Sequence, residues 1–526
     1  MNKIHSKHKN GRKNIMKLKY LKSSDLENLK KIKKTKRILL INPKKEDTVF
    51  MIPHNGLASL AGVLKKRGHE VLVVDFAFLF EDRDKDVSFF INMFKPDIIG
   101  ISIYTPSSKE ANDIIKKIQE ISPKIPIMVG GPHASMYSDV LKKDKRIDYI
   151  FIGEAELTII PVVENAKKQR TAKIIKSKEI LNLYKVPFSD YKSFYGWQNI
   201  TSYPIMSSRG CPNKCSFCAS IGLSYRYWRP RKPEECIKEM ELAKKEISPN
   251  LRFVLFDDCP TVHMGRFINL LKLYIEKINS ELVIVNTRAD SLNEEIVKLI
   301  KQCNCRVLSV GVEHGNPEVF KMANKGETFE QIEEACRLIK KYGIRLSVSF
   351  IIGLPGDSLE RTKDSIKLCN KLKADQVSLN LFIPFRYTPA REWLEKNNGI
   401  IYNELEYGSS VTPPLECPIV MSETPTFTKF EIEKAFYMFL FGVAEPRLKF
   451  RYLLKIISIA MKYNLYLEFI SWLPRGIYTS IRNMFHVAKY GFYVYRKVGF
   501  KNLSNRLIKM HREKKAQKDY LKKHER

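Results

Sequence analysis

The chain has 526 residues, 44% of them hydrophobic and 28% charged, so collagen-like, wholly disordered and polytopic membrane classes are excluded and about two or three ordinary domains are expected. None of its ten cysteines precedes Cys211, and they lack the dense spacing of a secreted disulfide scaffold, which points to a reducing cytoplasm. The net charge of +34 belongs to the ends, with +11 on residues 1–36 and +15 on residues 445–526; a Lys-rich composition explains this blandly, and attraction to an anionic partner explains it functionally.

Residues 1–35 form a basic tail with no apolar run behind it, unlike a signal peptide. Strands are then expected at Arg37–Asn42, Val71–Asp75, Ile98–Ile103, Ile127–Gly130 and Tyr149–Ile152, with helices such as Leu57–Arg67 and Ala111–Ile121 between them. Short apolar strands alternating with helices predict a doubly wound parallel sheet over 36–168. Ligands of such sheets sit at the carboxyl ends of the strands, which here carry Ser102, Tyr104 and Thr105, then Gly130-Gly131-Pro132-His133, then Gly153-Glu154. Residues 169–198 read as a linker.

A second alternating series spans 199–424, with strands near 203–208, 252–257, 281–286, 306–312, 344–352 and 376–383. Six βα repeats predict a partial or full parallel barrel, with chemistry on the loops after the strands. Residues 425–526 read as helical, aromatic and basic. The longest strongly apolar uncharged stretch, Ala435–Ala444, is too short to span a bilayer.

The chemistry is concentrated in Cys211-Pro-Asn-Lys-Cys215-Ser-Phe-Cys218, directly after the first strand of the second series. Three thiolates at this spacing on one loop can reach three corners of an iron–sulfur cube. With no fourth cysteine nearby, one iron would stay open to an exogenous ligand. A structural zinc would want four protein ligands and a second pair; Cys303 and Cys305, beside an expected strand, read as core.

This loop resembles that of the radical S-adenosylmethionine (SAM) enzymes, and the likeness covers about residues 200–390. It implies a [4Fe-4S] cluster whose open iron takes the amino and carboxylate groups of SAM. An electron from a donor such as ferredoxin or flavodoxin would then cleave the sulfonium to methionine and a 5′-deoxyadenosyl radical that abstracts hydrogen from substrate. It further implies that Asp257 and Asp258 meet the methionine amino end, Glu313 the ribose hydroxyls, and Gly353, within Phe350-Ile-Ile-Gly-Leu-Pro-Gly-Asp357, the adenine. A helix cap is the plainer role for the two acids. Lys325 and Arg288 are expected either to face a carboxylate or to be solvated.

A doubly wound sheet ahead of such a barrel resembles the cobalamin-binding-domain subgroup of these enzymes. The residues that carry the likeness are Leu57-Ala58, Leu60-Ala61, Leu64, Gly68-His69-Glu70-Val71 and Asp75, then Gly130-Gly131-Pro132-His133 and Gly153-Glu154-Ala155-Glu156. Ser102, Gly130, Gly131 and His133 would line the cobalamin pocket. The D-x-H-x-x-G signature that supplies a histidine to cobalt is absent; His54 and His133 are expected in loops outside it. A domain that has lost cobalamin and serves as a substrate lid is the alternative. Methylthiotransferases would carry a second cysteine triad before the barrel, and peptide-maturing relatives a cysteine-rich extension after it; neither is present.

The leading functional expectation is methyl transfer to an unactivated carbon of a small-molecule or lipid substrate. Radical cyclisation or rearrangement without cobalamin is an alternative, and a non-catalytic cobalamin-sensing module is one of another class, which the intact cysteine triad opposes. Phe450-Arg-Tyr-Leu-Leu-Lys455 and Tyr493-Val-Tyr-Arg-Lys497 interleave rings with cations, as suits peripheral contact with lipid headgroups. An ordinary helical cap is the plainer reading of this region, and nucleic acid fits it less well.

Overall fold

The computed structural model describes residues 21–43, 52–79, 85–177, 180–223, 227–402, 417, 419–443, 453–471 and 473–474. The start of the basic tail, Phe450–Tyr452 and the run from Tyr493 lie outside the described residues. The chain divides into a unit of residues 1–436 and a C-terminal unit of residues 437–526.

Six strands, β1 (Arg37–Asn42), β2 (Glu70–Asp75), β3 (Ile98–Ser102), β4 (Ile127–Gly130), β5 (Tyr149–Ile152) and β6 (Lys173–Lys176), form one parallel sheet in the order β2-β1-β3-β4-β5-β6. Every position of β3 is buried, as a strand covered by helices on both faces requires. Leu39, Ile41, Ile99, Ile101 and Val129 share a core with Phe90, Ile115 and Ile118 from the helices. The strand order reverses between β1 and β3, which opens a ligand crevice at their carboxyl ends.

Two expectations need correction. The segment read as a linker contributes β6, paired in parallel with β5, and Tyr195 N donates to Val73 O at 2.8 Å. Lys173-Ile-Ile-Lys176 is too short to show a period, and its neighbour supplies the order. The basic tail likewise ends in a short helix, Ser23–Glu27, whose Leu26 is fully buried.

The second sheet contains β7 (Ser202–Ile205), β10 (Arg252–Leu255), β11 (Leu282–Ile284), β12 (Val307–Glu313), β13 (Arg345–Ile352) and β14 (Gln376–Leu381), all parallel, in the order β14-β13-β12-β11-β10-β7. Its ends are not joined, so it is a partial barrel. A small antiparallel pair, β8 (Ser208–Arg209) with β9 (Arg229–Pro230), follows β7. Burial alternates along β12 and β13: Leu308, Val310, Leu346, Val348 and Phe350 are buried, while Ser309, Gly311, Ser347 and Ser349 are only half-buried. The large residues thus face the helices, and Ser309, Gly311, Ser347 and Ser349 lie on the opposite, inner face of the sheet. Among the described residues no helix is long and apolar enough to cross a membrane.

Carboxyl ends of the two sheets meet. Arg209 of β8 reaches Glu154 at 3.1 Å and Glu156 at 2.8 Å, Arg229 of β9 pairs with Glu154 at 2.5 Å, and Arg386 reaches Asp139 at 2.9 Å.

Candidate functional site

The three-cysteine loop is fixed by protein hydrogen bonds along its length. Gly210 N donates to Asp258 Oδ2 at 2.8 Å, Ser216 Oγ to Met322 O at 2.8 Å, and Ser216 N to Ala323 O at 2.8 Å. Ala390 N closes the set by donating to Ser216 O at 3.0 Å. Cys211, Cys215 and Cys218 are free thiols, half-buried. Burial pushes the Cys215 thiol up to about 12, against the nearby charges of Lys325 and Arg288, and burial also raises Cys218. Cys211 goes the other way, to about 6, because Cys259 and then Asn213 hydrogen-bond to its sulfur. Among the described residues no three His, Cys, Asp or Glu side chains gather as ligands of a single ion. Three thiols on one anchored loop, without a disulfide, are the donor set a [4Fe-4S] cube takes.

Cys259 corrects the expectation that no fourth cysteine is near. It follows Asp258 beyond the carboxyl end of β10, so the parallel topology brings it to Cys211 across a wide sequence gap. Interaction with Cys211, and then burial, raises its pKa. The signal was available: Cys259 occupies the same strand end as the two acids.

Those acids separate in role. Asp257 is 1% exposed, and its carboxylate accepts from Ser207 N at 2.7 Å, Ser207 Oγ at 2.7 Å and Ser208 Oγ at 2.6 Å. Burial raises it to about 6. It secures the turn between β7 and β8, whereas Asp258 is exposed beside the loop. Glu313 lies at the irregular end of β12 with φ +68°. It pairs with Lys325 at 3.1 Å; Lys325 also pairs with Glu327 at 3.0 Å, and Arg288 with Asp290 at 2.6 Å. Gly311 makes room for this network: a Cβ there would crowd Glu313 Oε1 and stand 2.8 Å from Lys325 Nζ. Gly311→Ala is therefore expected to lower stability by about 1–3 kcal/mol, checked by the denaturant midpoint of the full chain. Gly353 has φ +87° and donates to Asp357 Oδ2 at 2.8 Å. Asp357 also accepts from His314 Nε2 at 3.0 Å; His314 Nδ1 accepts from Asn316 N, so the proton sits on Nε2 and the ends of β12 and β13 are locked together.

In the crevice of the first sheet, Asp75 accepts from Asn42 Nδ2 at 2.7 Å and from His54 N at 2.9 Å, and burial raises it to about 6. His54 caps the helix Asn55–Arg67: its Nδ1 accepts from Leu57 N at 3.1 Å. Its Nε2 therefore carries the proton and donates to Ser102 Oγ at 3.0 Å. Gly131 has φ +91°, and a Cβ there would meet Ile103 O at 2.9 Å and Ser102 Oγ at 3.0 Å, so only glycine lets this turn pack closely against the end of β3. His133, expected in a loop, instead lies in the short helix Pro132–Met136. It bonds Thr105 Oγ1 at 3.1 Å and stacks on Tyr137 at 4.7 Å. His54 thus has both ring nitrogens engaged, whereas His133 commits Nδ1 to Thr105; Ser102, Gly130 and Gly131 stand beside them at the strand ends where a doubly wound sheet takes its ligand.

Burial lowers His54 to about 4 from an unfolded value near 6.5. It remains neutral while the unfolded chain takes up a proton, so stability is intact above about pH 6.5 and is lost as pH falls toward 4. This group alone should remove about 2 kcal/mol between pH 7 and pH 5. His54→Asn, which keeps an N-cap side chain, should flatten that part of the pH–stability curve, measured by urea melts at both pH values.

Two family models match the chain: the Radical SAM superfamily over residues 205–369 and the B12 binding domain over residues 48–162. An uncharacterized methyltransferase of Pyrococcus horikoshii is 27% identical over 418 residues, which is 74% of this chain and 90% of the relative. An anaerobic magnesium-protoporphyrin IX monomethyl ester cyclase of Rubrivivax gelatinosus is 26% identical over 458 residues, 79% of this chain and 80% of the relative. The fold is shared with the cobalamin-dependent S-adenosylmethionine radical enzyme OxsB, with a TM-score of 0.59 at 16% identity, over 91% of this chain and 75% of that one. With both domains matched in this order, the chain belongs to the radical SAM enzymes of the cobalamin-binding-domain subgroup, whose cofactors are a [4Fe-4S] cluster, SAM and cobalamin.

Proposed function

We propose that this enzyme is a cobalamin-dependent methyltransferase acting on an unactivated carbon of a hydrophobic substrate. The observation that carries the reading is the apposition of the two strand-end sites: Arg209, two residues before Cys211, is clamped to Glu154 and Glu156 of the cobalamin domain. The strand ends carrying Ser102 and Gly131 and the cysteine loop would then address one space, with Ser309, Gly311, Ser347 and Ser349 on the inner face of the second sheet. Cys211, Cys215 and Cys218 would hold the cluster, and Asp258 the methionine amino group with Asp257 bracing the turn behind it. Glu313 would meet the ribose and the backbone at Gly353 the adenine, while Ser102, Gly130, Gly131 and His133 would line the corrinoid site. When bound, the cluster and SAM supply a hydrogen-abstracting radical and the corrinoid supplies a methyl carrier. The chain's own part is to orient these groups and keep water from them.

Similarity to a protein named as acting on a porphyrin ester supports a bulky apolar substrate, and it also favours a second reading, radical ring closure. We place the enzyme in the cytoplasm, served by a small electron-transfer protein and touching an anionic membrane through its basic C-terminal region. The test loads the enzyme with iron, sulfide and hydroxocobalamin and supplies SAM with a deuterated methyl group, a reductant and a lipid extract. A lipid product carrying the labelled methyl is expected. Ring closure without label would favour the second reading, and no 5′-deoxyadenosine at all would overturn both.

A further inference from the structure

In the C-terminal unit, the helix Leu453–Lys462 is followed by a turn at Asn464, which has φ +52°, and then by a second helical segment over 466–471. One side of these segments makes an ordinary core: Ile456, Ala460, Tyr463 and Leu465 are buried, Tyr463 meets Tyr437 at 5.1 Å, and Phe469 meets Phe441 at 6.2 Å. The other side should then be polar, as on a surface helix. Instead Leu467 is 80% exposed, Ile470 64%, Met461 58%, Tyr466 51% and Leu473 37%. Tyr466, Leu467, Ile470 and Leu473 follow the i, i+1, i+4, i+7 spacing of one helical face, so they form a continuous apolar strip.

Directly after this strip the sequence turns basic. Residues 475–526 carry 15 Lys and Arg against 3 Asp and Glu. An apolar strip alone would fit any apolar partner. An apolar strip joined to a strongly cationic segment complements an acyl boundary beneath anionic headgroups, where each basic residue adds on the order of 1 kcal/mol. Tyr466, with an apolar ring and a polar tip, suits the same depth.

We infer that the strip of Tyr466, Leu467, Ile470 and Leu473 is the surface by which the enzyme docks on an anionic lipid bilayer. This rests on the reading that the enzyme meets membranes, and gives it a residue-level location: the strip enters the acyl boundary, and the cationic sequence that follows it complements anionic headgroups. A substrate dissolved in the bilayer would then be met at the interface.

The test is flotation of the full-length, cluster-loaded enzyme with phosphatidylcholine vesicles, with and without phosphatidylglycerol, for the wild type and Leu467→Glu/Ile470→Glu. The wild type should float with the anionic vesicles alone, and the double variant should partition at least about tenfold less, because two exposed aliphatic side chains are lost. Both should form equal 5′-deoxyadenosine from SAM, which separates this result from any failure of the proposed activity. Equal flotation of the two proteins, or none by either at moderate salt, would overturn the inference. So would a wild-type dimer in lipid-free sedimentation that the double variant converts to monomer, since a second copy would then cover the strip.

Discussion

Replacing Cys211, Cys215 or Cys218 by alanine is expected to reduce reductive SAM cleavage to the protein-free background. Each supplies one corner of the cluster, and a cube short of a thiolate ligand is not retained. The fold should survive, because the loop is held by Gly210–Asp258 and by the Ser216 contacts to Met322, Ala323 and Ala390, none of which uses a thiol. The variants should therefore keep the thermal midpoint of the cluster-free wild type while iron analysis after reconstitution falls from about four per chain toward zero. Cys259→Ala is the control. Lying off the three-cysteine loop, it should leave iron binding intact; loss of iron on that change alone would make Cys259 a fourth ligand and close the position needed by SAM.

The second large effect is expected at Arg209. Its side chain is 16% exposed and faces Glu154 and the 5% exposed Glu156, with Ser59 Oγ at 3.2 Å. Burial alone would lift Glu156; Arg209, followed by the bonds from Arg209 and Ser59, holds it below the usual carboxylate range. Arg209→Met removes the cation and strands a buried carboxylate, which costs about 3–5 kcal/mol. Adding Glu156→Gln should restore part of that stability, because the stranded charge is gone. A urea titration of wild type, single and double variants measures both. If the single variant loses less than about 1 kcal/mol, the clamp between the cobalamin domain and the cysteine loop contributes little more than an exposed pair.

Much of this was legible in the sequence for physical reasons. Arg37-Ile-Leu-Leu-Ile-Asn42 and Ile98-Ile-Gly-Ile-Ser102 are continuous apolar runs because both faces of their sheet are covered, and such runs stand out locally. The cysteine spacing is likewise a local feature. What stayed hidden depends on contacts between distant residues. Cys259 lies beside Cys211, Arg209 meets Glu154, and Asp257 turns away to the Ser207 amide and the Ser207 and Ser208 hydroxyls; no periodicity reports such pairings. The residue types at Asp257 and Asp258 are identical, and only the register of β10 against β7 decides which carboxylate is buried. The strip at Leu467 and Ile470 was equally silent, because an apolar residue in a helix gives no sign of whether its face is covered.

The most direct test of the central account is to reconstitute the full-length protein anaerobically with iron, sulfide and hydroxocobalamin, pass it through gel filtration, and measure iron and cobalt in the protein peak. The account predicts about four irons and about one cobalt per chain, with the cobalt retained in the Cys211→Ala variant that has lost its iron. Iron at that level with no cobalt in the protein peak would contradict it.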